Sequence, residues 1–406
     1  MTMKFAAGVR GRRIIGTVAT VAAAAAAVGL AVPAKASSAA PASRNLSGGQ
    51  VAARSAVPWD KVGAGWALAT YSAGHGGEGV KPTAGALTLY LVDPQGGRYK
   101  LSTWPASSPR SEWHLLGWSG DGRRALFVTS TSLGSTDRDH VYQLQLRTGR
   151  VTGFTLPGRV TAVGYTRPDG VNIVAEKWAN STGTGAITVE RYSLTGKLQK
   201  NLVTIKDEDY PSVAYSSNGT ELAAGIGNGL ELVSNAGGVI RKLPVPNVTE
   251  GCTAVRWWNS GTVLASCMVT NEAGPRMWLV PASGAGPRAL TPVRTGTNGD
   301  LGDFNAWQLS SGLYVDGYTG CGAVLIGRQP AHGKEQIVNM PGNPGSVLIV
   351  NATKSSLMVE RINGCVPDIS LVWFNPATRK LTVAIPDSHD QFGVTSVVPY
   401  FIAGKF

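Results

Sequence analysis

From residue 58 onward short apolar runs alternate with turn residues, and one strand-turn-strand unit recurs: an aromatic, a Ser or Thr, then Asp-Gly or Asn-Gly, then an apolar strand. It reads Trp118-Ser119-Gly120-Asp121-Gly122 before Ala125-Leu126-Phe127-Val128, and Tyr165-Thr166-Arg167-Pro168-Asp169-Gly170 before Val171 to Ala175. A third copy is Tyr215-Ser216-Ser217-Asn218-Gly219 before Leu222-Ala223-Ala224, and a degenerate one is Trp257-Trp258-Asn259-Ser260-Gly261. Weaker echoes sit at Leu309-Ser310-Ser311-Gly312 and from Val350 to Leu357. The anchors at 118, 165, 215, 258, 309 and 350 are 47, 50, 43, 51 and 41 residues apart. That is the period of a four-stranded propeller blade and too long for ankyrin or tetratricopeptide repeats. The pattern predicts an all-β chain, a β-propeller of seven four-stranded blades, with six as the alternative count.

One blade spans 112 to 157; three more cover roughly 160 to 205, 211 to 245 and 252 to 293, and two follow at about 304 to 340 and 346 to 385. The first blade has only three evident strands, Ala64 to Tyr71, Leu87 to Val92 and Arg98 to Trp104. The strand-like Val394 to Phe401 is read as its missing inner strand, so that the C-terminal strand closes the ring and removes an open edge.

The N-terminus changes the compartment. Lys4, Arg10, Arg12 and Arg13 precede an alanine-rich apolar stretch from Ile14 to Val32, and Ala34-Lys35-Ala36 is a small-x-small cleavage site. Residues 1–36 are therefore expected to be a signal peptide, 37–57 a disordered linker and 58–406 the propeller domain, secreted or held at the cell envelope. Arg12-Arg13 leaves twin-arginine export open beside the general route, and the apolar run leaves an uncleaved anchor open. After cleavage no transmembrane segment is expected. Removing the five basic residues of the signal takes the net charge from +12 to +7. No Lys/Arg run, RNP-like aromatic motif or zinc-finger spacing points to nucleic acid.

Four cysteines in an exported chain predict two disulfides. If Asn259-Ser260 is a two-residue turn, counting outward places Cys252 opposite Cys267, close enough to bridge. Cys321 and Cys365 remain, in the matching contexts Thr319-Gly320-Cys321 and Asn363-Gly364-Cys365, and are expected to pair between blades. Neither Cys-x-x-Cys nor paired His accompanies them, so a metal site is not expected.

The Trp118-Ser119-Gly120-Asp121-Gly122 and Tyr215-Ser216-Ser217-Asn218-Gly219 turns resemble the WSPDG-type turns of TolB-like propellers. With the export signal, Cys252, Trp257-Trp258, Cys267, Trp278-Leu279-Val280-Pro281 and Gly320-Cys321-Gly322, the chain is similar to secreted actinobacterial TolB-like proteins over residues 58 to 406. The resemblance implies a six- or seven-bladed propeller and brings no catalytic residues. An N-terminal α/β domain like that of TolB is not evident, so a role in an outer-membrane Tol-Pal system does not carry over.

Catalytic patterns are scarce. Gly-x-Ser-x-Gly, a P-loop, His-Glu-x-x-His and an EF-hand loop are all missing, and the span after residue 385 is too short for an appended hydrolase domain. The five histidines, at 75, 114, 140, 332 and 389, have no partner at metal-ligand spacing. Trp118, Trp258, Trp278 and Trp373 fall at strand positions and are expected in the core, whereas Trp59, Trp104 and Trp307 flank loops, where a solvent-facing ring would suit sugar stacking. No cofactor is expected.

Loops from the fourth strand of one blade to the first of the next emerge on one face. They carry Glu112, Asp207, Glu208, Asp209, Glu250, Asp300, Asp303, Asp387 and Asp390 against Arg110, Arg159, Lys206 and Arg294, a balance near −5. Asp207, Asp209, Asp300 and Asp303 are the candidate acidic binding face, for a cation or a basic segment of a partner. The expected function is a monomeric, non-catalytic propeller that binds a protein or envelope component. A propeller enzyme (lyase, lactonase or glycosidase) and a carbohydrate- or cation-binding module remain alternatives.

Overall fold

Each well-formed copy of the repeat is a tight turn held by its own side chains. Ser119 Oγ donates to Asp121 Oδ1 at 2.5 Å and accepts from the Arg124 amide at 2.9 Å, while Asp121 Oδ1 accepts from the Arg123 amide at 3.0 Å. Ser216 and Asn218 repeat the arrangement, with Ser216 Oγ accepting from the Glu221 amide at 3.1 Å and Asn218 Oδ1 from the Thr220 amide at 3.1 Å. Short polar side chains that accept from the backbone two residues on are what make Asp and Asn turn formers. The glycine that follows takes a left-handed φ of +71° in all three turns, at Gly122, Gly170 and Gly219.

The computed structural model describes residues 48–77, 80–129, 138–178, 185–205, 212–296, 302–318, 324–330, 335–342, 344–362, 368–387 and 391–400. Five four-stranded antiparallel sheets follow one another along the chain. The first holds Trp113–Trp118, Arg124–Thr129, Arg138–Gln145 and Val151–Pro157; the second Val160–Tyr165, Asn172–Trp178, Ile187–Ser193 and Leu198–Ile205. The third holds Val213–Tyr215, Glu221–Ile226, Gly229–Ser234 and Val239–Pro244; the fourth Val248–Asn259, Thr262–Val269, Arg276–Pro281 and Arg288–Ala289. The fifth holds Asp303–Leu309, Gly312–Tyr318, Val324–Gln329 and Gln336–Ile337. A nine-stranded sheet joins Ser346–Ala352, Leu357–Ile362, Ile369–Asn375 and Lys380–Ile385 to Gly393–Pro399, Ala67–Ser72, Leu87–Val92 and Arg98–Trp104 through a single parallel bridge, Ile369 to Gly393. Its ninth strand, Val51–Ala53, lies parallel to Arg98–Trp104 on the outside. Gly393–Pro399 pairs antiparallel with Ala67–Ser72, Ala67 opposite Pro399. Among the described residues no helix is long and apolar enough to cross a membrane.

Strand alternation distributes the core between the sheets. Ala125 and Phe127 face one neighbouring sheet while Leu126 and Val128 face the other, so a run apolar on both sides is buried on both sides. Consecutive sheets packed face to face in this way form a β-propeller. The turns also mesh: a Cβ on Gly120 would stand 1.7 Å from Pro168 O, and one on Gly219 1.7 Å from Arg167 O. Tyr400 fits the same series, its hydroxyl donating to Gly120 O at 2.8 Å and its ring lying edge-on to Trp118 at 4.8 Å.

Cys252 pairs opposite Cys267, and the two are disulfide-bonded. The hairpin count reaches this pair by a different path. Asn259 faces Thr262, so the turn lies one residue further along than Asn259-Ser260, and two bulges restore the register at Ala254 and Ala265. Replacing both cysteines by Ala is expected to lower stability by roughly 3 kcal/mol in the chain-entropy account. Urea unfolding with intact and double-mutant protein measures this. Cys321 and Cys365 lie outside the described residues.

Candidate functional site

One position in the second strand of each sheet points toward the inner strand of the next sheet. Glu176, Ser266 and Asp316 occupy it, paired across their own sheets with Ala162, Thr253 and Asn305. Glu176 Oε1 accepts from the Val213 amide at 3.2 Å, Ser266 Oγ donates to Asp303 O at 2.8 Å, and Asp316 Oδ1 accepts from the Ile349 amide at 3.0 Å. Each polar side chain thus fastens its sheet to the next. Gly225 holds the corresponding place in the third sheet, where a Cβ would come within 2.1 Å of Cys252 O.

A charged cluster surrounds the start of the fifth sheet. Arg294 Nη2 donates to Asp303 Oδ2 and, at 2.7 Å, to Glu335 Oε2. The Arg294 amide donates to Glu272 Oε2 at 3.2 Å, and Glu272 Oε1 pairs with Arg276 Nη1 at 3.0 Å. Gly327 makes room, since a Cβ there would meet Glu335 Oε1 at 1.7 Å. Asp303 is 1% exposed and Arg294 5%. Burial pushes the Asp303 carboxyl up to about 6, and the Arg294 charge restrains the rise. We take the pair as ionised at neutral pH, because an uncharged carboxyl would leave the enclosed guanidinium without its counter-charge.

Arg256 lies over the Trp307 ring, 3.9 Å from its centroid, and donates to Asn305 Oδ1 and Ala306 O. Burial pulls it below its ordinary value, and the charge of Asp316 opposes that. Asp316 is fully enclosed, with Oδ2 lacking a hydrogen-bond partner among the described residues, and burial pushes its carboxyl well above the ordinary range. Glu360 alternates with Val359 and so shares the side of Met358; burial raises it to about 7. Unlike Asp316, it keeps some accessible surface.

Chemically these groups tie sheets together. Arginine nitrogens and backbone amides take up both Glu272 oxygens and one oxygen each of Glu176, Asp303, Glu335 and Asp316, and no group of three or more His, Cys, Asp or Glu among the described residues is placed to hold a metal. Of the sequence-predicted face, Asp303 belongs to this cluster, and Asp207, Asp209 and Asp300 lie outside the described residues. Sequence reasoning places Arg294 among the connector bases but not beside Asp303, and does not single out Glu335, Arg256, Asp316 or Glu360. The available signal was an acid closing an apolar run, Leu313-Tyr314-Val315-Asp316 and Met358-Val359-Glu360.

The tryptophans sort differently from the expectation at three positions. Trp118, Trp278 and Trp373 are buried, but at the fourth repeat the core ring is Trp257, whose Nε1 donates to Ala214 O at 2.9 Å, while Trp258 is half-buried. Trp104 and Trp307 are buried as well and offer no face for a sugar. Trp59 is half-buried beneath Arg147, 5.4 Å from its centroid.

No family model and no curated protein sequence matches the chain. Solved structures do. A prolyl endopeptidase from a study of two such enzymes aligns at 13% identity and a TM-score of 0.52, covering 78% of this chain and 49% of that one. The β-propeller domain of the trilobed protease from Pyrococcus furiosus, described as having an open velcro topology, aligns at 8% identity and 0.50, covering 75% and 89%. A candidate 6-phosphogluconolactonase from Bacteroides uniformis aligns at 14% identity and 0.50, covering 82% and 99%. The chain spans about half the length of the first peptidases it matches. At these identities the likeness establishes the propeller fold and nothing finer.

Proposed function

We propose that the chain is an exported, non-catalytic TolB-like propeller of seven blades, closed by its C-terminal strand, which binds a basic segment of a protein or envelope component on one face. Dividing the nine-stranded sheet at its single parallel bridge leaves four strands on one side and five on the other, and we read these as the sixth and seventh blades, with Gly393–Pro399 as an inner strand and Val51–Ala53 added outside. The observation that carries the binding face is charge segregation. The Arg294–Asp303 pair cancels itself, and the remaining connectors hold Glu112, Asp207, Glu208, Asp209, Asp300, Asp387 and Asp390 against Arg110, Arg159 and Lys206, while Glu250 lies exposed near the start of the strand Val248–Asn259. Like-signed carboxylates on one face concentrate cationic partners, and salt weakens the effect.

A lysine-rich peptide, titrated at low and high salt, tests the reading. Wild type is expected to bind it with an affinity that falls as salt rises, and the triple variant D207N/D209N/D300N to bind at least about tenfold more weakly with an unchanged melting temperature. Equal affinity for the two proteins would return these acids to solvated loops. Asp303 is left out of the variant because its carboxylate serves Arg294.

A further inference from the structure

The outermost strands carry the opposite charge. Val151–Pro157, Leu198–Ile205, Val239–Pro244, Arg288–Ala289, Gln336–Ile337 and Lys380–Ile385 contain Lys200, Arg241, Lys242, Arg288 and Lys380 and not one Asp or Glu. Lys on a free edge is a common guard against edge-to-edge aggregation. That role would be served by either sign, and it leaves unexplained the aliphatic side chains standing in water beside the cations. Leu198 is 48% exposed, Val239 45% and Ile240 48%.

These residues form one strip. The first four positions of both Leu198–Ile205 and Val239–Pro244 are exposed without alternation, so each strand shows both of its sides to solvent. The turn leading into Val239 rests on the neighbouring strand: the Gly238 amide donates to Leu202 O at 2.9 Å, and a Cβ on Gly237 would meet Lys200 Cε at 2.7 Å. Lys197, Lys200 and Arg241 are exposed along it, while Lys242 has Glu231 at 3.7 Å.

We propose that this edge, Lys197, Leu198, Lys200, Val239, Ile240 and Arg241, docks the protein on an anionic lipid bilayer. Cations alone would suit any polyanion. Aliphatic groups set among them favour an interface where headgroups meet acyl chains, since a soluble polyanion offers them nothing to bury against. The site lies on the outer strands, apart from the acidic connectors, so either proposal can fail without the other.

The test uses the full chain with vesicles of phosphatidylcholine alone or mixed with phosphatidylglycerol, and with soluble polyphosphate. Anionic vesicles are expected to slow amide hydrogen exchange at 198 to 205 and 239 to 244, a readout that the N-terminal apolar segment does not mimic. K197Q/K200Q/R241Q is expected to reduce partitioning on the order of a hundredfold, and V239S/I240S to reduce it severalfold, both with melting temperatures near wild type. Unchanged partitioning in the charge variant overturns the proposal. So does equal protection of the two strands by polyphosphate, which would make the edge a site for soluble polyanions.

Discussion

Deleting residues 393 to 406 is expected to lower the melting temperature by more than about 10 °C or to abolish the cooperative transition. The strand Gly393–Pro399 faces all six residues of Ala67–Ser72, and Val394 is buried in the core they share. Its loss strips Thr70, itself fully buried, of the Thr395 hydroxyl at 2.9 Å, and removes the Ser396 hydroxyl from Leu115 O at 2.7 Å and the Tyr400 hydroxyl from Gly120 O at 2.8 Å. At about 1 kcal/mol per lost hydrogen bond and about 2 for re-exposing a Val, the loss is of the same order as the whole stability of a typical domain. Calorimetry of the truncated protein decides. A melting temperature within a few degrees of wild type would mean that this strand is dispensable and that closure is wrong.

Stability is expected to be lost as pH rises from about 4 to 7.5. Glu360 has a folded value near 7, above its ordinary 4.5. The folded state therefore holds more protons than the unfolded state in that window, and each proton released on raising the pH is released at the expense of the fold. At about 1.4 kcal/mol per unit, Glu360 contributes up to roughly 3 kcal/mol, less whatever solvent reaches it. His114 acts in the opposite sense: burial lowers it, so its contribution disappears as pH falls through its own range. Glu360→Gln isolates the carboxyl, because the amide mimics its protonated form. The variant should match wild type near pH 4 and exceed it by 1 to 3 kcal/mol near pH 8. Urea midpoints that run parallel for the two proteins across this range would show that Glu360 is not buried as a neutral acid.

The blades that were easiest to read carry the Ser-x-Asp-Gly or Ser-x-Asn-Gly turn, because there the local hydrogen bonds of Ser119 with Asp121 and Ser216 with Asn218 specify the turn without help from the rest of the chain. Where the turn shortens to Ser260-Gly261 or Ser310-Ser311 that signal is gone, and the anchor at the fourth repeat was placed on Trp258 when Trp257 is the buried ring. Bulges were invisible for a related reason. An extra residue at Leu116, Val255, Phe304 or Val350 alters which neighbour a side chain meets but hardly disturbs an apolar pattern. The Arg294 cluster was beyond reach of the sequence, since Asp303 and Glu335 are 32 positions apart, flank opposite edges of one sheet, and converge on Arg294 where Gly327 leaves room for the Glu335 carboxylate. Loop acids look alike in sequence whether they face water or an arginine.

The pairing of Ala67–Ser72 with Gly393–Pro399 also sets how the protein resists being pulled. Ala67, where the chain enters its strand, sits opposite Pro399, where the chain leaves its own. Tension applied between those two points loads the pair at one end, and its hydrogen bonds part in sequence like a zip; opposed strands pulled lengthwise would have to break them together. A molecule tugged at Ala67 and Pro399 would therefore open at this seam at low force, with the other sheets still folded.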